Sequence, residues 1–370
     1  MKAAVYYGPG DIRVKEVERP TAGEVGMVLR VKACGICPLI DVPHYKMSYP
    51  LMDIPAHYSE TPLRTSGVIL GHEFSGEVVE VGSKVTCVKK GDRLYGVAWG
   101  PCGKCDACQA GDYEHCQFGD GAGRAYDGAM AEYLLFPNLM YPSITSDKIV
   151  KLPPKLTYRD GALIELLRLG IGLASKTKPG DIVVHFGMDL IGLASVLDLK
   201  AKGAAKVIAC DIDDKKLQYA KEMGADAVIN TKKEDVVQAV LRATGGKFAN
   251  VVLESSCRPE NLQNAMNVVS SFGQIWIASF YTAGTFFNPS YVNPNMVSPN
   301  LCQKGGVSMH CPWGTLGPWK PMLDRAIEML ESGKITADKY VTHVYPLEKV
   351  NEAFEMAMKP YDSMKVLLEP

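Results

Sequence analysis

Two textures of apolar and polar residues divide the chain. Up to about Pro154 the apolar positions come in short alternating runs, such as Met27-x-Leu29-x-Val31, Glu77-Val78-Val79-Glu80-Val81 and Ala131-Glu132-Tyr133-Leu134-Leu135, cut by Gly and Pro. A period of two broken by turn residues predicts half-buried strands joined by loops. From about Leu156 compact apolar runs at residues 181–184, 207–210, 251–253 and 275–277 alternate with helical stretches. Strands spaced by helices predict βαβ units and a parallel sheet. The end of the chain reads as a helix over 321–332, a second over 347–358 and a closing strand over 364–368. The fold class is therefore α/β: a doubly wound parallel-sheet domain at 160–311, inserted into a β-rich domain formed by 1–159 and 312–370.

Composition narrows the function. The chain has 370 residues, 47% of them hydrophobic, enough for two cores. A net charge of −1 favours neither a nucleic-acid backbone nor an anionic membrane surface, so the expected partner is a small molecule. The opening MKAAVYYGPG has no apolar signal core, and no apolar run reaches the length of a membrane span, which places the protein in the cytoplasm. Eleven cysteines in a reducing compartment are available as metal ligands rather than disulfides.

Four of them have metal-ligand spacing. Cys102, Cys105, Cys108 and Cys116 are arranged C-x2-C-x2-C-x7-C. Short spacers let one loop wrap thiolates round a tetrahedral zinc, and a site with all four positions filled is structural. The chemistry must lie elsewhere. A second group is spread along the chain: Cys34-Gly35-Ile36-Cys37, then Gly71-His72-Glu73, then Glu165 in Ala162-Leu163-Ile164-Glu165. A catalytic zinc needs three protein ligands and one exchangeable position, which Cys34, His72 and Glu165 would supply, with Glu73 as the adjacent alternative.

Together with Gly91-Asp92-Arg93-Leu94, Asp127-Gly128-Ala129-Met130-Ala131-Glu132-Tyr133 and His343-Val344-Tyr345-Pro346-Leu347, these segments resemble the zinc-containing medium-chain dehydrogenase/reductase family almost end to end. The likeness is to its polyol and butanediol dehydrogenases. It implies a GroES-like catalytic domain beside a Rossmann domain, two zinc ions per chain, and hydride transfer between a secondary alcohol and NAD. It also implies a homodimer or homotetramer. Carried over by motif, the catalytic ligands are Cys34, His72 and either Glu73 or Glu165.

The nicotinamide site should follow the strand at 181–184, where the chain reads Gly187-Met188-Asp189-Leu190-Ile191-Gly192. In the G-x-G-x-x-G pattern the first and last glycines serve the turn and the strand–helix packing, and the middle one lets backbone approach pyrophosphate. Here Asp189 holds that middle place, a carboxylate facing an anion. Asp211, nineteen residues past Gly192, is placed to accept the ribose hydroxyls and to disfavour NADP, or else, with Asp213, to cap the next helix. Two more departures concern the reacting centre. Leu39 stands where the family relays the alcohol proton through a hydroxyl, leaving Asp41, His44 or His57 as substitutes. Arg168 follows the ligand glutamate, either as a helix-surface residue or as an anion partner. Asp189, Leu39 and Arg168 together raise an alternative, a zinc-dependent lyase, hydratase or isomerase on the same scaffold with no net redox step.

Overall fold

The structure is a computed structural model that describes residues 1–46, 67–97, 99–100, 105–112, 120–123, 126–136, 149–279, 306–310, 319–359 and 361–370. The chain divides into two compact units, Met1–Glu165 with Trp319–Pro370, and Leu166–Pro318.

The spine of the first unit is the strand Met27–Gly35, whose Met27, Val28, Leu29 and Ala33 are wholly buried. One edge pairs antiparallel with Glu73–Val81. The other takes Tyr133–Phe136 over its first half and the closing strand Val366–Glu369 at its end. Residues opposite one another in the ladder are Cys34 and Phe74, Gly35 and Glu73, Cys34 and Leu368, and Gly35 and Leu367. Three chain segments remote in sequence therefore meet at one end of the sheet, just where residues 36–37, 72 and 365 follow or precede their strands.

A short helix, Tyr158–Gly161, closes over that region. Thr157 and Asp160 form a reciprocal capping box, and the second Asp160 oxygen accepts the amide of Ala337 at 2.8 Å, tying in the C-terminal segment. Gly161 permits the close approach, since a Cβ there would lie 2.7 Å from that of Ser75 on Glu73–Val81. The next helix, Ile164–Ala174, carries Glu165 in its first turn.

The second unit is a six-stranded parallel sheet in the order Ala227–Asn230, Lys206–Asp211, Ile182–Phe186, Ala249–Glu254, Val269–Ile277, Ser308–His310. The order reverses direction at Ile182–Phe186, the switch point of a doubly wound sheet, where ligands bind beyond the carboxyl ends of the strands. The edge strand Ala227–Asn230, four residues long, gave no sequence signal. The helix read over 347–358 is instead a 3-10 turn, Leu347–Lys349, followed by Val350–Ala357. Lys349, at φ −102° and ψ 25°, breaks the continuity. Among the described residues no helix is long and apolar enough to cross a membrane.

One central-strand side chain is polar. His185 is fully buried, with Nε2 3.0 Å from the Ser255 hydroxyl oxygen and no hydrogen bond at Nδ1. Burial pushes its pKa down from 6.5 to about 3. The folded value lies below the unfolded one, so between them the unfolded chain binds more protons and stability rises with pH. His185 costs nothing above its unfolded pKa, and stability is lost as pH falls through the window, at up to about 1.4 kcal/mol per pH unit. The urea midpoint should therefore drop between about pH 7 and about pH 5, and His185→Gln should show a smaller drop relative to its own value at neutral pH. Identical pH profiles for the two proteins would remove His185 as the cause.

Candidate active site

The sequence places two cysteines on either side of a strand end, and their surroundings differ. Cys34 lies within the ladder between Phe74 and Leu368, wholly buried in the apolar core. Its sulfur faces Gly71, where a Cβ would come within 2.7 Å of it. Cys37 falls beyond the strand, in the turn leading to the helix Asp41–Lys46, and its amide donates to Asp41 Oδ2 at 2.9 Å. The other Asp41 oxygen is 3.6 Å from His72 Nδ1, an ion-pair contact longer than a hydrogen bond. Asp41 thus fixes both the Cys37 turn and the His72 ring. Gly71, at φ +100°, supplies the left-handed backbone that brings His72 round before the strand Glu73–Val81 begins.

One donor atom from each of Cys37, His72 and Glu73 lies within 4.8 Å of the others. The expected thiol was Cys34; the structure brings Cys37 to the group in its place, because Cys34 is committed to the strand core. Glu165, nearly buried, acts electrostatically on the same three groups from the start of Ile164–Ala174 but is not among the converging atoms.

Glu73 is held by a residue that sequence reasoning missed. Lys365, on the segment entering the closing strand, forms an ion pair with Glu73 Oε2 and donates to the Ile36 carbonyl at 2.9 Å, and both side chains are buried. Gly35 makes room for the pair: a Cβ there would strike Glu73 Oε2 and lie 2.8 Å from Lys365 Cε. The available signal was a single lysine inside an otherwise apolar closing run, a charge that must find a partner if the strand is central.

The electrostatics suit a metal. Burial lifts the Cys37 thiol well above its usual range, and the neighbouring Glu73 and Asp41 carboxylates add to this, so the thiolate needs a cation to form. Burial alone would lower His72, but Asp41 and then Glu73 and Glu165 outweigh it and push its pKa up to about 9. Burial opposes ionisation of Asp41 too, yet His72 and the Cys37 amide hold it below the normal carboxylate range. The Lys365 ammonium is raised against burial by Glu73. Glu73 Oε1 is buried without a hydrogen-bond partner, beside a thiol and an imidazole. Sulfur, nitrogen and an orphaned carboxylate oxygen form a donor set that fits zinc.

The proposed relay residues separate. Asp41 is occupied with Cys37 and His72. His44, on the same helix, is buried, its carbonyl accepting the Tyr6 hydroxyl at 2.8 Å, and its charge acts on Asp41. Leu39 is buried and apolar. His57 and the loop around it lie outside the described residues. So do Cys102 and Cys116; of that motif the structure describes Cys105, at the start of the helix Asp106–Gln109, and the buried Cys108 within it.

In the second unit Gly187 has φ +96°, and a Cβ on it would come within 2.9 Å of the Ser256 amide nitrogen. Gly192 packs against the Gly187 carbonyl with no room for a side chain. Asp189 is the N-cap of the helix Leu190–Ala201. Asp211 ends its strand and accepts the amides of Met188 at 2.7 Å, Ile212 at 2.7 Å and Asp213 at 3.0 Å. Of the two residues expected to cap the following helix, Asp214–Glu222, Asp213 does so, while Asp211 holds the turn before it. Arg168 is not on an exposed helix face: it is only 4% exposed, within the helix Ile164–Ala174, which is buried along its length.

Comparisons with known proteins agree with this architecture. Residues 23–145 match the family model for the alcohol dehydrogenase GroES-like domain, and residues 191–326 that for zinc-binding dehydrogenases. Over the whole chain the protein is 30% identical to the sorbitol dehydrogenase of Bacillus subtilis, covering 97% of it. The crystal structure of 2R,3R-butanediol dehydrogenase from the same organism superposes with a TM-score of 0.77 at 28% identity, covering 100% of this chain and 99% of that one. A putative zinc-binding dehydrogenase from Sinorhizobium meliloti, bound to NADP, gives 0.78 at 26% identity, with coverage of 100% and 99%. These relatives decide for a dehydrogenase over the non-redox alternative. The chain belongs to the zinc-containing medium-chain dehydrogenase/reductase family and is an oxidoreductase of its alcohol dehydrogenase class, using zinc and a nicotinamide cofactor.

Proposed function

We propose that the protein oxidises a secondary alcohol of a small polyol or diol with NAD, reversibly, at a zinc held by Cys37, His72 and Glu73. The observation that carries this reading is the convergence of those three donors over a shared Asp41. Zinc bound there polarises an alcohol oxygen and lowers its pKa towards neutrality. Asp41 keeps the His72 ring oriented by its Nδ1 side, which leaves Nε2 for the metal. Lys365 holds one Glu73 oxygen, leaving the orphaned one as donor. Glu165 adds negative charge beside the site and is the alternative carboxylate. With Leu39 unable to carry a proton, His44 is the remaining described candidate to pass it outward.

Substrate class rests on the sorbitol and butanediol dehydrogenases among the relatives. Asp211 supports NAD, because a carboxylate at that strand end accepts ribose hydroxyls and repels a 2′-phosphate. A second, structural zinc on Cys102, Cys105, Cys108 and Cys116, a homodimer or homotetramer, and a cytoplasmic location complete the proposal. The test is turnover of zinc-loaded protein with a panel of diols and polyols. NADH should form, with kcat/KM for NAD exceeding that for NADP by at least about tenfold. Equal use of NADP would contradict the role given to Asp211.

A further inference from the structure

The helix Leu190–Ala201 should offer its first amides to the cofactor's pyrophosphate, as helix N-termini do for anions. Two of those amides are already taken. Asp189 Oδ1 accepts from Ile191 N at 2.9 Å and from Gly192 N at 3.4 Å. The preceding amide of the same turn, Met188 N, is bonded to Asp211. The rest of the turn is built as a dinucleotide turn requires, with Gly187 in a left-handed conformation and Gly192 pressed against its carbonyl. The turn therefore has the right shape for the cofactor, while three of its donors, the amides of Met188, Ile191 and Gly192, are held by the chain's own carboxylates.

We infer that the Asp189 carboxylate is an internal competitor for the cofactor's pyrophosphate, and that nicotinamide dinucleotides bind only by displacing it from the helix N-terminus. This rests on the nicotinamide reading above and specifies how that cofactor is admitted. Binding exchanges one anion for another at the same donors, so the hydrogen bonds gained are offset by those lost and the displaced charge stays nearby. Asp211 adds repulsion, and Lys216, on the first turn of the helix Asp214–Glu222, is the cation whose charge reaches Asp189. The consequence is weak, readily released cofactor, set by a single side chain at the position where a glycine would leave the donors free.

The experiment is equilibrium binding followed by nucleotide fluorescence and calorimetry, on zinc-loaded wild type, Asp189→Gly and Asp189→Asn, with NADH, ADP and adenosine as ligands. Asp189→Asn retains a side chain able to cap the helix, so it separates charge from folding; native circular dichroism is the check on both variants. NADH and ADP should bind at least about tenfold tighter to Asp189→Gly than to wild type and to an intermediate degree to Asp189→Asn, which loses the charge but still caps, while adenosine, which has no phosphate, should not change. Unchanged NADH and ADP affinity, or an equal gain for adenosine, would overturn the inference and leave the dehydrogenase reading intact. Failure of all three proteins to bind NADH at millimolar concentration would overturn both.

Discussion

Cys37→Ser should lose about one equivalent of zinc and about a thousandfold or more in kcat/KM, while Cys34→Ser keeps its zinc. The expectation follows from where the two sulfurs sit. Cys37 lies past the end of the strand, its backbone pinned by the carboxylate that also faces His72, and its donor atom is within 4.8 Å of those of His72 and Glu73. A serine hydroxyl is a far poorer zinc ligand than a thiolate, and it leaves His72 and Glu73 as an incomplete set. Removing the metal removes stabilisation of the developing alkoxide, an effect of several kcal/mol, and each 1.36 kcal/mol is a factor of ten in rate. Cys34 belongs to the ladder and to the apolar core, so Cys34→Ser should cost about 1–3 kcal/mol of stability for a buried hydroxyl. Metal analysis of the dialysed proteins beside their urea midpoints separates the two cases. Full zinc content in Cys37→Ser, or its loss in Cys34→Ser, would reverse the assignment.

Lys365→Met should destabilise the fold by about 3–5 kcal/mol, the usual consequence of removing one partner from a buried ion pair. Both members are essentially inaccessible to water, and Lys365 also satisfies the Ile36 carbonyl. The loss should exceed that of the double variant carrying Glu73→Gln as well, because the penalty comes from an uncompensated charge rather than from the missing contact. Urea unfolding of wild type, both single variants and the double variant closes the cycle. A Lys365→Met protein with an unchanged midpoint would show that Glu73 is neutral or reaches water. Since Glu73 is also a proposed ligand, metal affinity should fall with Lys365→Met even where the fold survives.

How much of this was legible in the sequence depends on the range of the interactions. The strands at 182–186 and 206–211 were announced by apolar runs, and alternation marked the strands around Met27 and Val78, though not that they pair. Motif spacing singled out His72 and Glu73, which converge with Cys37, and Glu165, which is not among the converging donors, and the broken glycine pattern singled out Asp189. What spacing could not supply is register. Whether Cys34 or Cys37 leaves the strand is decided by Gly35 standing opposite Glu73 and Leu367, a pairing set by segments remote in sequence. The Glu73–Lys365 pair is equally non-local. Asp189 was legible as an anomaly of charge, but only the backbone geometry shows its carboxylate bonded to the amides it was expected to obstruct. Arg168, for which residue type left a helix surface or an anion partner open, is buried because the helix that carries it is buried along its length.

The activity proposed is hydride transfer from a carbinol carbon at the Cys37–His72–Glu73 site. Its most direct measurement is the turnover assay run with the best polyol deuterated at the oxidised carbon, on protein stripped of metal and then reloaded with zinc. The expected result is reduced nicotinamide carrying one deuterium, formed by the reloaded protein and not by the stripped one. Reduced cofactor without deuterium, or turnover that does not need the metal, would contradict it.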